Sequence, residues 1–323
     1  MAGVELHMSI IESPLTRPII EGRAEVEGAR VDAHAALSVN TNSMEMLDLK
    51  FDVAEMSLAT FTKAREQGVP LVALPLFTGR RFLHSGVSVA SGSAIRDPAD
   101  LRGHRVGLPQ FWMTSSVWHR LILRQVYGVA QNEVHWVTTA RERMGSLGLP
   151  PEAKLDASGR NAQALLLAGE VDAVMAAGGA GAARGEGGGE PDDRVVPIFH
   201  DPIAAQRAYY EGTGIFPIMH LIAMKEELAT SEPELVGHLC DAFRRGKEMA
   251  LEEAMSDPSD RPIPGLGESE TRALFGDDPW PYGIGPNRTV LELFLNDALD
   301  QGLTDRKLGV EELFPAQLPA SYR

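Results

Sequence analysis

Four short runs in this 323-residue chain gather side chains able to move a proton or grip an anion. In Phe51-Asp-Val-Ala-Glu-Met-Ser57, Glu55 and Ser57 close an apolar stretch that reads as a strand before a helix. Polar groups at that place lie at a strand's carboxyl end, where open α/β sheets bind ligands. A solvated strand end, or Ser57 capping the helix, explains the same pattern. Arg80 and Arg81, followed by His84 and Ser85, offer forked donors suited to a carboxylate; adjacent arginines are also ordinary surface residues. Phe111-Trp-Met113-Thr114-Ser115-Ser116 sets three hydroxyls at a helix start. Free N–H groups and the positive end of the dipole attract anions there, while capping alone accounts for one hydroxyl. Tyr209-Tyr210-Glu-Gly-Thr213 leads to His220. These groups can clamp an aromatic ring or satisfy one another in a core. His220 itself is either a core histidine with a backbone partner or a functional imidazole, and the residues leave both readings open.

The elements that must position these groups alternate between strand and helix, the pattern of an α/β protein. Thr213 and Gly214 read as a loop end, and Ile215 to Met219 as a buried strand that Pro217 confines to a start or an edge. Further strands are expected at Phe51–Met56, Val69–Phe77, Ser85–Val89, Arg105–Leu108, Glu133–Thr138 and Val171–Ala176. Helices are expected at Asn42–Leu49, Leu58–Gln67, Thr114–Tyr127 and Asn161–Ala168. In the third of these, Val117, Trp118, Leu121, Ile122, Gln125 and Val126 form the inward stripe, with His119, Arg120 and Arg124 off it. Capping boxes are expected at Ser231 with Glu234 and at Thr289 with Glu292. The tract from Gly178 to Gly189 reads as a mobile surface loop. It lacks the Gly-Lys-Ser/Thr ending of a phosphate loop. The tail from Glu311 reads as an ordered strap with a loose end.

Composition narrows the chemistry. The chain is 44% apolar and 23% charged, as in ordinary globular proteins. Its net charge of −15 argues against a nucleic-acid partner, which calls for a basic face. A small anion needs only a local cluster of donors. With Cys240 as its single cysteine, the chain has no intrachain disulfide and no cysteine-based zinc site. There is no His-x-x-x-His, His-Glu-x-x-His or Gly-x-Ser-x-Gly, so metalloprotease and serine hydrolase motifs are missing. No apolar run has the length of a membrane span. The N-terminal stretch is not a secretory signal, and a complete chain of this kind is expected to be cytoplasmic.

Taken in order, the runs resemble the 4,5-dihydroxyphthalate decarboxylase family. The matching pieces are Phe51–Ser57, Arg80 with Phe82 and His84-Ser85, Asp100 to Pro109, and Met113-Thr114 with Val117-Trp118. They continue with His135-Trp-Val-Thr138, Gly212 to His220, and Trp280-Pro-Tyr-Gly283 with Asn287-Arg288. The resemblance implies a two-lobed α/β fold like type 2 periplasmic solute-binding proteins, with a ligand cleft between lobes. The lobes would be residues 1–90 plus 221–323 and residues 91–220, the latter holding the loop at 178–189. It also implies non-oxidative decarboxylation of 4,5-dihydroxyphthalate to protocatechuate and carbon dioxide. On that reading His84 or His220 is the ring-carbon acid, and Glu55 orients a histidine or takes a phenolic proton. Ser57, Arg80, Ser85, Met113, Thr114, Ser115, Tyr210, Thr213 and Arg288 would contact the substrate. No cofactor is expected, and a divalent metal is left open. The expected partner is a small aromatic acid, with no nucleic acid and no membrane, and a homo-oligomer is left open. The competing readings are a non-catalytic binding protein for an aromatic or dicarboxylic acid, and another lyase on the same scaffold.

Overall fold

Apolar runs bounded by turn residues become strands, and the punctuated amphipathic runs between them become helices. The computed structural model describes residues 3–176, 192–256 and 267–323. The glycine-rich tract expected to loop out at 178–189 lies outside the described residues. Two compact units divide the chain: residues 1–81, 218–299 and 304–323 form unit 1, and residues 82–217 with 300–303 form unit 2. The crossings lie at 81/82 and 217/218 rather than at the expected 90 and 220. The strand at 87–90 pairs inside the sheet of unit 2, and the one starting at Ile218 pairs inside that of unit 1.

Unit 1 opens with β1 (Val4–Ile11), α1 (Arg17–Ile20), β2 (Ala29–Ala36), α2 (Val39–Leu47), β3 (Val53–Ser57), α3 (Leu58–Glu66) and β4 (Leu71–Arg80). Unit 2 supplies β5 (Val87–Ala90), β6 (Arg105–Leu108), α4 (Thr114–Tyr127), β7 (His135–Thr138), β8 (Ala153–Leu155), α5 (Ala162–Leu167), β9 (Ala173–Met175), β10 (Val195–Pro197) and α6 (Pro202–Thr213). The chain then returns through β11 (Ile218–Lys225), α7 (Glu226–Ser231), α8 (Pro233–Ser256), α9 (Glu268–Phe275) and α10 (Arg288–Gln301). No helix among the described residues is long and apolar enough to cross a membrane.

The sheet of unit 1 has the order β2-β1-β3-β11-β4, with β1 parallel to β2 and β3, and β11 antiparallel to β3 and β4. The chain therefore leaves β1 toward β2 on one side and has β3 on the other. That reversal of strand order is where open α/β sheets leave a crevice beyond the strands' carboxyl ends. Its central strands are apolar on both faces: Val53, Ala54, Met56, Leu221, Ile222, Ala223 and Met224 are all fully buried. Unit 2 carries a six-stranded sheet of order β10-β5-β9-β6-β7-β8, with β5 antiparallel to its neighbours.

Several local expectations shift. Thr213 ends α6, Gly214 caps it in the left-handed region at φ 67°, and the returning strand starts only at Ile218, just past Pro217. Ser231 ends α7 and turns its hydroxyl back to the carbonyl of Leu228, so it opens no capping box with Glu234. Thr289 lies inside α10, one residue past its start. In α4, Gln125 and Val126 face solvent, whereas His119 and Arg120 are buried. The helix end extends past the core. Both polar side chains enter it because partners await them: Leu83 carbonyl for His119, and Gln301 and the Phe111 carbonyl for Arg120. The tail does not end loose, since Tyr322 is buried and its carbonyl accepts from the Ile284 N–H.

Candidate active site

A carboxylate–imidazole pairing in unit 1 joins two of the expected residues. Nδ1–H of His220 donates to Glu55 Oε1 at 2.8 Å, across 165 residues of sequence. The Glu55 side chain is 3% exposed and that of His220 is 26% exposed. The second carboxylate oxygen, Oε2, accepts the Ile11 N–H at 3.2 Å, at the carboxyl end of β1. A buried carboxylate needs such partners, because desolvation without them costs several kcal/mol. With Nδ1 tied to Glu55, Nε2 is the ring nitrogen left outside this pair.

The backbone explains why the imidazole lies there. Ser57 and Glu55 pair with His220 and Ile222 across β3 and β11, which puts Glu55, Ser57 and His220 along one end of the sheet. On its other side β11 meets β4 irregularly, with register shifts on both sides of His220. Bulges of this kind re-aim side chains next to functional sites. β4 carries Pro75 in the irregular stretch. The carbonyls of Pro75 and Phe77 accept instead from the Gly283 N–H and the Trp280 indole N–H. His220 pairs with Gly79, and a Cβ on Gly79 would lie 2.5 Å from its Nδ1 and 2.6 Å from its Cγ. The glycine is there because the His220 side chain, from its Cβ outward, packs against its backbone, not for a left-handed φ.

Around this pair the chain supplies residues whose roles were not legible. Asn42 on α2 donates to the carbonyls of Ser9 and Glu55, locking the ends of β1 and β3 together. Ser43 Oγ accepts the Ser57 N–H, and Ser57 makes no side-chain cap to α3. Arg80, at the end of β4, donates to Asn287 Oδ1 and to the Pro281 carbonyl. Asn287 is itself fixed by donating to the Pro281 and Gly283 carbonyls. Tyr282 is buried, and its phenol is pushed far up by burial first and by the Glu55 charge next. Trp280, Tyr282 and Asn287 belong to matched motifs, but nothing in their spacing assigns a role. Arg288 does not join them. It forms surface ion pairs with Glu311 at 2.7 Å and Glu292 at 3.6 Å.

Unit 2 gathers a second set. His84 lies in a 3-10 turn, His84–Gly86, is 3% exposed, and neither ring nitrogen has a hydrogen-bond partner among the described residues. Its neighbours are the rings of Phe199 and Tyr209, each at 5.2 Å. Burial lowers its pKa to about 4, and that of His119 likewise. His84 is therefore a neutral imidazole near pH 7. Ser85 is half-buried beside it. The adjacent tyrosines diverge: Tyr209 faces His84, while Tyr210 meets Phe82 edge-on at 6.2 Å. Thr213 is exposed and bonds the Tyr209 carbonyl at 2.6 Å, so it closes its helix rather than joining a cluster.

Thr114 and Ser115 are buried in the first turn of α4, and Met113 holds the N-cap position without a side-chain cap. A carboxylate already sits on the preceding turn. Glu142 accepts from the N–H groups of Phe111 at 2.7 Å and Trp112 at 3.3 Å. Burial pushes the Glu142 carboxyl up against those bonds. Among the described residues no three His, Cys, Asp or Glu side chains are gathered to hold a metal ion.

Two outcomes follow from this geometry. Gly79→Ala drives a methyl group into the His220 ring. A misplacement of about 1 Å can cost on the order of 100-fold in rate, so kcat should fall by at least that much. Adding His220→Ala should not restore the lost thermal stability, because the Cβ kept at position 220 still lies 2.9 Å from the new methyl group and buried Glu55 loses its partner. The buried neutral histidines set a pH trend. Their folded pKa values, near 4, lie below the unfolded value of 6.5. The unfolded chain then binds more protons between these limits, so their contribution is full above pH 6.5 and is lost as pH falls toward 4. Each is worth on the order of 3 kcal/mol across that window. Urea unfolding of His84→Phe should show a shallower decline with acid than the unaltered chain.

No family model matches the chain. Among curated proteins, a 4,5-dihydroxyphthalate decarboxylase of Comamonas testosteroni is 33% identical over 336 residues, covering 98% of both chains. One of Pseudomonas putida is 29% identical over 171 residues, covering 49% of this chain and 65% of that one. Among solved structures, the periplasmic aliphatic sulphonate binding protein SsuA of Escherichia coli aligns with a TM-score of 0.59 at 14% identity, covering 96% and 97% of the chains. SsuA of Xanthomonas axonopodis aligns at 0.56 and 15%, covering 98% and 99%, and the desulfurization enzyme DSZB at 0.51 and 14%, covering 98% of each. These structures share the type 2 periplasmic-binding-protein-like fold, and the extent and identity of the first relative settle the family: the chain belongs to the 4,5-dihydroxyphthalate decarboxylases.

Proposed function

We propose that this carboxy-lyase converts 4,5-dihydroxyphthalate to protocatechuate and carbon dioxide, with His220 as the acid that protonates the ring. The observation that carries the assignment is the buried carboxylate–imidazole pair, Glu55 and His220, at the carboxyl end of the sheet of unit 1. Each carboxylate of the substrate lies para to a hydroxyl. Once that hydroxyl gives its proton to solvent, which returns it to the product phenolate after the reaction, the ring carbon bearing the carboxylate is electron-rich. It takes the proton from Nε2 of the His220 imidazolium, giving a dienone. The bond to the carboxylate then breaks, its electron pair returns to the ring, and carbon dioxide leaves as aromaticity is restored. One proton is consumed per turnover, and the part-exposed His220 ring can be recharged from solvent.

Glu55 acts here as an orienting anion. It holds Nδ1–H and stabilises the imidazolium before the proton is given up. His84 fits the acid's task less well, because burial keeps it neutral near pH 7. Arg80, held at the end of β4 by neutral partners, is the favoured guanidinium for a carboxylate, whereas the Arg288 charge is already paired with Glu311 and Glu292. Thr114 and Ser115 remain the proposed anion grip of unit 2, supported by the missing side-chain cap at Met113.

The direct test is to mix the protein with 4,5-dihydroxyphthalate, follow carbon dioxide and identify the aromatic product by mass. His220→Ala should lower kcat by 100-fold or more, in the range typical of general acid catalysis, with folding retained. Glu55→Gln should lower kcat with a smaller change in KM. Thr114→Val should raise KM more than it lowers kcat. Phthalate, which lacks the para hydroxyls, should bind without turnover. Binding of 4,5-dihydroxyphthalate without release of carbon dioxide would favour the receptor reading, and full activity in His220→Ala would remove that residue from the scheme.

A further inference from the structure

The segment between α9 and α10 is tied to β4 at three points. The Trp280 indole N–H donates to the Phe77 carbonyl at 2.6 Å, and the Gly283 N–H to that of Pro75 at 2.8 Å. Arg80, the last residue of β4, donates to the Pro281 carbonyl at 3.3 Å. Lys247 on α8 holds the same segment through Asp278 at 2.7 Å and the Trp280 carbonyl at 3.1 Å. Asn287, 1% exposed, closes it. Both N–H groups of its amide are engaged, by the Pro281 carbonyl at 3.0 Å and the Gly283 carbonyl at 2.7 Å. The amide can point only this way, since the reverse would set its oxygen against two carbonyls. Oδ1 therefore faces Arg80 as an acceptor and takes an N–H from Nη2. The Pro281 carbonyl accepts from the same nitrogen, and two acceptors there set the plane of the guanidinium.

Closing the segment asks only for the two Nδ2 donors. It does not ask that Oδ1 meet a guanidinium buried to 8% exposure. A carboxylate is the stronger partner for arginine in such a place, because it binds the fork and cancels its charge. An amide oxygen of the same reach binds the fork and adds no charge. We propose that Asn287 is a positioning residue for the decarboxylation: as a neutral acceptor it aligns Arg80 toward a carboxylate of the substrate without cancelling the guanidinium charge, which makes position 287 a determinant of affinity for dicarboxylates. The inference rests on the assignment of Arg80 as a carboxylate-binding group. Asn287 acts through Arg80, so its replacement is read in binding before it is read in turnover.

Calorimetric binding of phthalate, which lacks the hydroxyls that turnover needs, reads the guanidinium without the chemistry. Asn287→Asp, Asn287→Ala and Asn287→Ser are compared on the full chain, each below its own thermal midpoint. All three disturb the donors to the Pro281 and Gly283 carbonyls, and only the first sets a carboxylate on Arg80. Serine keeps one donor and serves as the neutral comparison if the alanine variant does not fold. Asn287→Asp should weaken phthalate at least about 10-fold more than the neutral variants do, the scale of one hydrogen bond to a charged group. It should also raise KM for 4,5-dihydroxyphthalate more than it lowers kcat. In an Arg80→Gln background most of that excess should vanish, as coupling through one guanidinium requires. An aspartate variant that binds phthalate as well as the neutral ones would overturn the proposal and leave Arg80 its role. So would an excess that persists undiminished beside Arg80→Gln. Arg80→Gln binding phthalate as tightly as the unaltered chain would overturn the assignment of Arg80, and the proposal with it.

Discussion

The hydrogen bond between Glu55 and His220 is the interaction on which the site of unit 1 depends. A carboxylate as enclosed as Glu55 is tolerable only with its oxygens occupied. Ile11 and His220 occupy them, and those residues come from β1 and β11, which lie more than two hundred residues apart in the chain. The strand order β2-β1-β3-β11-β4 brings them to either side of β3. Sheet topology, not local sequence, therefore decides that the acid and the imidazole meet. The bulged junction of β11 with β4 then aims the ring, and the bare backbone of Gly79 gives it a floor.

The two conspicuous histidines differ because their surroundings differ. His220 has a carboxylate on one nitrogen and solvent within reach of its ring. His84 and His119 are enclosed by Leu83, Tyr127, Phe199 and the apolar side of α4, and no carboxylate lines that pocket among the described residues. Low dielectric without a counter-charge favours the neutral ring. The sheet of unit 1 thus sets a carboxylate against its imidazole, and unit 2 buries its two imidazoles in apolar surroundings that keep them neutral.

Much of this was readable in advance where local physics governs. The strand ending at Ser57, the helix Thr114–Tyr127 and its stop at Gly128 follow from apolar periodicity and turn residues, and all appear within a residue or two. Glu55 stood out as a polar group at a strand's carboxyl end, where open α/β sheets bind ligands, and His220 as an imidazole following a turn and an apolar run. What escaped was whatever depends on distant partners. His119 and Arg120 lay off the apolar stripe of α4, yet a carbonyl, an amide and the ring of Phe111, 3.7 Å from the guanidinium, draw them inward. Arg288 looked like an anion clamp until Glu311, from the tail, took it. Asn287, its neighbour, belongs to a matched motif whose spacing assigns it no role, and it holds Arg80 in place.

Gly79 has one more implication, for how this chain can diverge. Its backbone angle is open to any residue, so what forbids a side chain there is the imidazole resting on it. Positions 79 and 220 are thereby coupled. In descendants that keep the histidine, position 79 is frozen as glycine. A larger residue settles at 79 only where position 220 has lost its Cβ as well or the two strands have moved apart, since that Cβ alone would lie 2.9 Å away, so a non-glycine at 79 is a signature of scaffolds that have given up the imidazole.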